Sequence, residues 1–387
     1  MGKKLGVELE LLVLDSQFRE TNQADVLLDA AKNQDLPLVG ECSHAMVELN
    51  GKPGDTFYVL EDFIHNISKL NELARSLNLY VLPIETPLDP NFTPKIRDHP
   101  RYSAKRKLLG EERFTISGKV LGFHTHYELE ESDQKKVDQI NFLTLMDPPA
   151  ITISASSPKK NPDGSLFNNW RTYSYRNIVH ENLPFQGHLQ QFRQSYNEYL
   201  EQLEEEFSRF INLSAQQEID FSSCSTQYNS IWGPVRINPG YQTVEIRSPG
   251  ANPDLHLLFS LATIIKGGLR RIAEDPSSAE DNAYFKLLLN DGNPGESFEI
   301  LQALSYDSMQ YGLASETVTN FCQNAYDFCK ESLTPRELAL TQNLDPFISS
   351  RKNMSDYIHS LKGSTQDKYS HLHDLYLGSL KTLKGFL

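Results

Sequence analysis

The chain has 387 residues and carries 37 Lys and Arg against 51 Asp and Glu, a formal net charge of −14. That balance argues against a basic nucleic-acid binder and points toward small-molecule or metal chemistry. With 39% hydrophobic and 23% charged residues, the composition supports a sizeable core and excludes wholesale disorder.

Near the start, Lys3 and Lys4 are followed by Glu8 and Glu10 where a signal peptide needs an apolar run, and Gly6 stands where a myristoylation signal needs Ser or Thr. No apolar run approaches the ~20 residues of a membrane span. The expectation is a cytoplasmic protein without membrane or nucleic-acid partners. Cys42, Cys224, Cys322 and Cys329 form no C-x-x-C pair, which suits reduced thiols and not a zinc site. Cys322 and Cys329 read as core thiols on a helix.

Residues 6–13 alternate with period two and predict a strand. In it Glu8 and Glu10 leave one face while Val7, Leu9 and Leu11 leave the other. Neighbouring like charges repel unless a cation lies between them, so the pair reads either as part of a metal site or as the solvated face of an edge strand. A second strand, residues 45–49, puts Glu48 on one face with Met46, and Glu41 lies shortly before it. Leu60, Phe63, Ile64, Ile67, Leu70, Ala74 and Leu77 fall at helical spacing and predict an amphipathic helix. Residues 122–129 predict a strand that aims His124 and His126 together, suited to one metal or to a metal and an anion, with ordinary core or surface histidines as the alternative.

Residues 150–154 alternate as well and are predicted as a strand. A long helix is expected from Leu189 to Phe210. The strand at 242–248 projects Glu245 and Arg247 from one face, either an intrastrand salt bridge or a metal-binding carboxylate beside a phosphate-binding guanidinium. Asn252, Pro253 and Asp254 open a further helix with Pro253 in its first turn, and from about Ser277 to Leu387 the pattern is helical. Interleaved strands and helices make an α+β fold, with a catalytic domain over residues 1–270 and a helical extension over 271–387 packed on it. Glu8, Glu10, Glu41, Glu48 and Glu245 with two histidines suit Mg²⁺ or Mn²⁺ better than zinc, and such ions act mostly on phosphates.

Several stretches occur in a telling order: Gly6-Val7-Glu8-Leu9-Glu10, Pro100-Arg101-Tyr102, Gly122-Phe123-His124-Thr125-His126, and Ile153 through the serines to Pro158. Ser174-Tyr175-Arg176, Trp232-Gly233-Pro234-Val235-Arg236 and Thr243-Val244-Glu245-Ile246-Arg247 follow. Together they resemble the motifs of the second glutamate–cysteine ligase family, carboxylate–amine ligases with a glutamine-synthetase-like fold, over roughly two thirds of the chain. The resemblance implies a curved antiparallel sheet forming an active-site funnel flanked by helices, with ATP entering one end and the amino acid the other. It implies an ATP-dependent ligase that forms an amide through a γ-glutamyl phosphate. Residue by residue, it implies that Glu10, Glu41 and Glu48 hold one Mg²⁺ or Mn²⁺ and that Glu8, His124 and Glu245 hold a second. His126, Arg236 and Arg247 would contact the phosphates, with Arg236 and Arg247 as the catalytic pair. Arg171 and Arg176 would anchor a substrate carboxylate or else pair with structural acids. Ser156 and Ser157 would line the site or shape a tight turn.

The chain also departs from the family pattern. Leu82-Pro83-Ile84-Glu85-Thr86-Pro87 stands where many members carry Gly-Thr-His-Pro, so a contact from that loop is expected to be altered or absent. The Glu-Asn-Arg-like run expected near Leu301 to Gly312 is missing, with Tyr311, Gly312 and Leu313 as its remnant. Glutamate and an amino acid such as cysteine are the leading small-molecule substrates; the acceptor amine and any homo-oligomer are left open. Two other functions fit parts of the pattern. A metal-dependent amidohydrolase is suggested by His124 and His126 but lacks further clustered histidines, and a catalytically silent regulator that binds nucleotide or metal is opposed by retention of all six metal ligands.

Overall fold

The computed structural model describes residues 4–160, 164, 166–183, 185–221, 226–275 and 294–387. Its strands are β1 (Leu5–Asp15), β2 (Leu38–Gly40), β3 (Met46–Asn50), β4 (Leu79–Leu82), β5 (Phe123–Glu128), β6 (Lys159–Lys160), β7 (Leu166–Phe167), β8 (Val235–Asn238) and β9 (Thr243–Ile246). The helices that position the site are α1 (Ala24–Lys32), α2 (Thr56–Ser76), α3 (Pro100–Leu109), α4 (Glu111–Ser117), α5 (Asp133–Leu145), α6 (Asp147–Ser154), α7 (Trp170–Ser174), α8 (Tyr196–Gln216), α9 (Gln227–Ser230) and α10 (Leu255–Glu274).

β1 is the spine of an antiparallel sheet in the order β2-β3-β1-β5-β9-β8. One edge of β1 pairs with β3, and the other pairs first with β5 and then with β4. The sheet is open and not closed into a barrel. β1 therefore has neighbours on both sides, which removes the edge-strand reading of Glu8 and Glu10. Its other face carries Val7, Leu9 and Leu11, all buried. There Phe63 of α2 meets Phe259 of α10 at 5.0 Å between ring centroids, and Phe123 of β5 meets Phe259 at 6.2 Å. The Tyr127 hydroxyl donates to the Ala262 carbonyl of α10 at 3.1 Å. Apolar burial on this face fixes which way every second side chain of the sheet must point.

The expected strands at 6–13, 45–49, 122–129 and 242–248 correspond to β1, β3, β5 and β9. The strand expected at 150–154 is instead part of α6. All eight residues of α6 are buried, and a helix buried all round has no polar face from which to read a 3.6-residue period. Pro148 and Pro149 sit in its first turn, where a missing N–H costs no intrahelical bond. α2 is the expected amphipathic helix, capped by Asp55, whose side chain accepts from Phe57 N and Tyr58 N. α8 starts later than expected because Ser195 caps it by accepting from Glu198 N, leaving Leu189 and Phe192 ahead of the helix. Pro253 likewise precedes α10, whose cap is Asp254.

Beyond these lie α11 (Pro294–Gln310), α12 (Glu316–Lys330), α13 (Pro335–Thr341), α14 (Leu344–Ser349), α15 (Met354–Ser360) and α16 (Thr365–Lys384), helical as expected. Residues 276–293 of that expectation and Cys224 lie outside the described residues. Cys322 and Cys329 are buried on α12. Residue 270 falls inside α10, and one hydrophobic cluster continues through both parts of the chain. Glu337 of α13 ties them further, lying 3.5 Å from Lys266 Nζ and 3.1 Å from Arg270 Nη1 while accepting from Thr56 Oγ1.

Candidate active site

Strand register assembles the polar face. β1 against β5 sets Glu8 opposite His124, and β1 against β3 sets Glu10 opposite Glu48. β5 against β9 sets His126 opposite Glu245, and β8 against β9 sets Arg236 opposite the same Glu245. Two groups follow, Glu8–His124–Glu245 and Glu10–Glu48–His124, in each of which the ligand atoms lie within 4.8 Å of one another. The first is the set the family resemblance implied. In the second, His124 stands where Glu41 was expected. Glu41 is hydrogen-bonded to Glu48 and its Oε2 accepts from Cys42 N at 3.3 Å. It lines the same cavity.

The charges in this face are unevenly compensated. Burial, reinforced by the charge of Glu41, pushes Glu10 up to about 8. Burial also raises Glu48 well above the usual carboxylate range, helped by Glu41, Glu8 and Glu10, and raises Glu41. Glu8 goes the other way: burial works to raise it, but hydrogen bonds from His124 and His126 lead the effects that outweigh burial and hold it low. Glu245 is also lowered, because Arg247 and Arg236 overcome its burial. Burial brings His124 down to about 4, so it stands as a neutral imidazole, the form that ligates a metal. Crowded carboxylates with one neutral imidazole are the donor set of a hard divalent cation. Glu245 Oε1 adds to that fit. It is buried with no hydrogen-bond partner, although Arg247 Nε lies 3.0 Å away.

Beside the carboxylates are three fixed guanidinium groups. Arg236 Nε donates to Glu245 Oε2 at 2.6 Å, and Arg247 lies against the face of Trp232 at 5.5 Å. The intrastrand bridge between Glu245 and Arg247 is therefore real, and it is one arm of a pair of arginines on one acid. Arg171, from α7, donates through Nη1 to the Ser248 carbonyl at 2.9 Å and through Nη2 to the Arg247 carbonyl at 3.3 Å. These residues line a cavity of about 420 Å³, walled also by Arg101, Tyr102 and Lys105 of α3 and by Tyr175, His180 and Trp232. A second cavity of about 1310 Å³ shares Glu8 and Tyr241 with the first and takes in His126, Gln242 and Arg270. His126 thus lies toward the second cavity, with Nδ1 3.0 Å from Thr243 Oγ1 and Nε2 3.1 Å from Glu8 Oε1.

Three expected substrate contacts are corrected. Arg176 is buried in a two-pronged pair with Asp147, at 3.0 and 2.6 Å, and also donates to Ser305 Oγ, so the structural alternative holds. Ser156 and Ser157 are buried away from the cavity. Ser156 Oγ donates to the Ala251 carbonyl at 2.7 Å, and Ser157 Oγ donates to Glu85 Oε2 at 2.5 Å. Their hydroxyls are spent on folding this loop, and Ser157 Oγ also accepts from Arg171 N at 3.0 Å.

Glu85 is the residue the departing loop contributes. Fully buried, it accepts from Ser156 N and from Asn169 Nδ2, both at 2.8 Å, and burial raises it to about 7 despite the opposing charge of Arg171. Gly250 is required against it, since a Cβ there would meet Glu85 Oε1 at 1.8 Å. A lone Glu between prolines offers no periodicity from which this role could be read. Tyr175, His180 and Trp232 were also missed; Tyr175 opens a single π turn, Tyr175–Val179, which has no helical stripe. Arg101 and Lys105 did leave a signal, because four residues apart on a helix they share a face.

Comparison with known proteins gives the family and the fold. The sequence model described as Glutamate-cysteine ligase family 2 matches residues 4–341. The glutamate–cysteine ligase of Haloferax volcanii is 25% identical over 301 residues, covering 75% of this chain and 76% of that protein. In fold, the chain is similar to a glutamate–cysteine ligase of Francisella tularensis solved in complex with AMP, at 13% identity and a TM-score of 0.63, covering 100% of this chain and 94% of that one. It is also similar to a bifunctional glutathione synthetase of Pasteurella multocida, at 14% identity and a TM-score of 0.64, with 98% of this chain covered. This chain spans about half of that protein, 53%.

Proposed function

The chain belongs to glutamate–cysteine ligase family 2, a family of ATP-dependent carboxylate–amine ligases, and on that premise we propose that it joins the γ-carboxylate of glutamate to the amine of cysteine or a similar amino acid through a γ-glutamyl phosphate. The observation that carries this reading is the sheet register, which gathers Glu8, Glu10, Glu48, His124, Glu245 and Arg236 on one face, with Arg247 just past β9 and Arg171 of α7 lining the same cavity.

In this reading the nucleoside enters by the larger cavity and its phosphates pass Glu8 and Tyr241, the residues common to both cavities. Mg²⁺ bound by Glu8, His124 and Glu245 and by Glu10 and Glu48 would neutralise phosphate charge. Arg236 and Arg247 act on the phosphoryl group in transfer. Because Glu245 already holds both, they need no reorganisation when charge develops. In the first step a carboxylate oxygen bonds to the γ-phosphorus and ADP leaves. In the second, the amine nitrogen attacks the acyl carbon, phosphate leaves with that oxygen, and the amine gives up a proton. Arg171 anchors the donor's α-carboxylate, and the Tyr175 and Trp232 walls keep water from the acyl phosphate.

Glutamate carrying ¹⁸O in its γ-carboxylate tests the order of events. Amide formation should deliver one labelled oxygen into the released phosphate. Unlabelled phosphate alongside confirmed amide product would rule out the acyl-phosphate path.

A further inference from the structure

On the sheet side of the smaller cavity every cation has a protein partner: Arg236 and Arg247 share Glu245, and Arg171 donates to two backbone carbonyls. The α3 wall differs. Lys105 is half-buried in that wall, and among the described residues it has no hydrogen bond or ion pair. Arg101, one turn earlier, donates to the Asn229 carbonyl and to no carboxylate, and its Nε, like those of Arg171 and Arg247, is buried without a hydrogen-bond partner. The charges that act most on Lys105 are further cations. Burial first, then Arg101, Arg247 and Arg236, bring its ammonium down to about 7. A cluster of guanidinium groups with an unpaired ammonium is costly unless an anion completes it.

We propose that Arg101 and Lys105 form an oxyanion clamp for a carboxylate of an amino-acid substrate, separate from the phosphate arginines on the sheet. The smaller cavity also holds the phosphate arginines Arg236 and Arg247, but Lys105 stands on its helical α3 wall and not on the sheet that carries them, and this separate wall favours a carboxylate over a phosphate. The other electrostatic neighbours of Lys105 are Cys42 and His180, at the end walled by Tyr175 and Trp232. A planar fork with a point charge beside it also matches the two oxygens of a carboxylate. The clamp rests on the ligase reading for the identity of its substrates, and it serves either the donor's α-carboxylate or that of the acceptor.

The test compares the full wild-type chain with Lys105→Met and Lys105→Arg, measuring KM separately for ATP, glutamate and cysteine, with cysteamine as an acceptor that lacks the carboxylate. Lys105→Met should raise KM for glutamate or for cysteine by about tenfold or more, and Lys105→Arg should recover part of the loss. ATP KM should change less than twofold. If the acceptor's carboxylate is held, Lys105→Met also erases the preference for cysteine over cysteamine; if the donor's is held, that preference stays and glutamate KM rises. Unchanged constants, a change confined to kcat, or a rise in ATP KM alone overturns the clamp. A wild-type chain that forms no amide would sink the ligase reading instead. Calorimetric titration of glutamate and of cysteine into wild type and Lys105→Met would then decide the clamp by itself: equal binding of both, including none, overturns it, and weaker binding of either to the variant supports it. Melting temperature should be equal or higher in Lys105→Met, since a repelled cation is removed.

Discussion

Glu10 offers the sharpest test of the carboxylate cluster. In the folded protein it titrates at about 8 against an ordinary value of 4.5. The folded state therefore keeps a proton that the unfolded chain has released between those two pH values. Stability from this group is fully present below about 4.5 and is lost as pH rises toward 8. At about 1.4 kcal/mol per pH unit, the loss is on the order of 5 kcal/mol. Other groups titrate in the same range, so the difference between wild type and Glu10→Gln is the quantity to follow. His124, lowered to about 4, makes both proteins gain stability up to its unfolded value near 6.5, and it cancels in that difference to first order. Thermal melts in EDTA from pH 5 to pH 8 should show the variant equal to wild type at the acid end and several degrees more stable at pH 8, at roughly 2 °C per kcal/mol. With saturating Mg²⁺ the advantage should vanish, because a cation bound to the carboxylates stabilises the wild type by mass action. A pH-independent difference, or a variant less stable at pH 8, would refute the account of uncompensated charge.

Glu245→Gln should behave oppositely, abolishing turnover and costing about 3–5 kcal/mol in thermal melts, because it strands two arginines that share this acid. Unchanged stability would mean that Glu245 is not their counter-charge. Arg176→Met should cost a similar amount, about 3–5 kcal/mol, by leaving the buried Asp147 without its counter-charge and with only the Ser248 and Ser305 hydroxyls as partners, while KM for the substrates stays within threefold when measured well below the melting temperature. A selective rise in glutamate KM would return Arg176 to the substrate site.

The period-two segments 6–13, 45–49, 122–129 and 242–248 were legible because each strand buries one face, so alternation alone separates Glu8 and Glu10 from Val7, Leu9 and Leu11. The proposed cation site rests on the same residues, since carboxylates and histidines on one strand face suit a cation whatever the fold around them. What alternation does not contain is register. That Glu8 meets His124, that Glu10 meets Glu48 and that Arg236 and Arg247 converge on Glu245 depends on how strands far apart in sequence slide against one another. This is decided by burial of the opposite face against α2 and α10. Register also put His124 into both ligand groups, a sharing no spacing could announce. Burial all round hid α6, because a helix with no exposed face has no period to read. The partners of Arg176, Ser156 and Ser157 were likewise settled by packing. A buried arginine must find an acid and a buried hydroxyl an acceptor, and Asp147, Glu85 and the Ala251 carbonyl lie far from them in sequence but beside them in the fold.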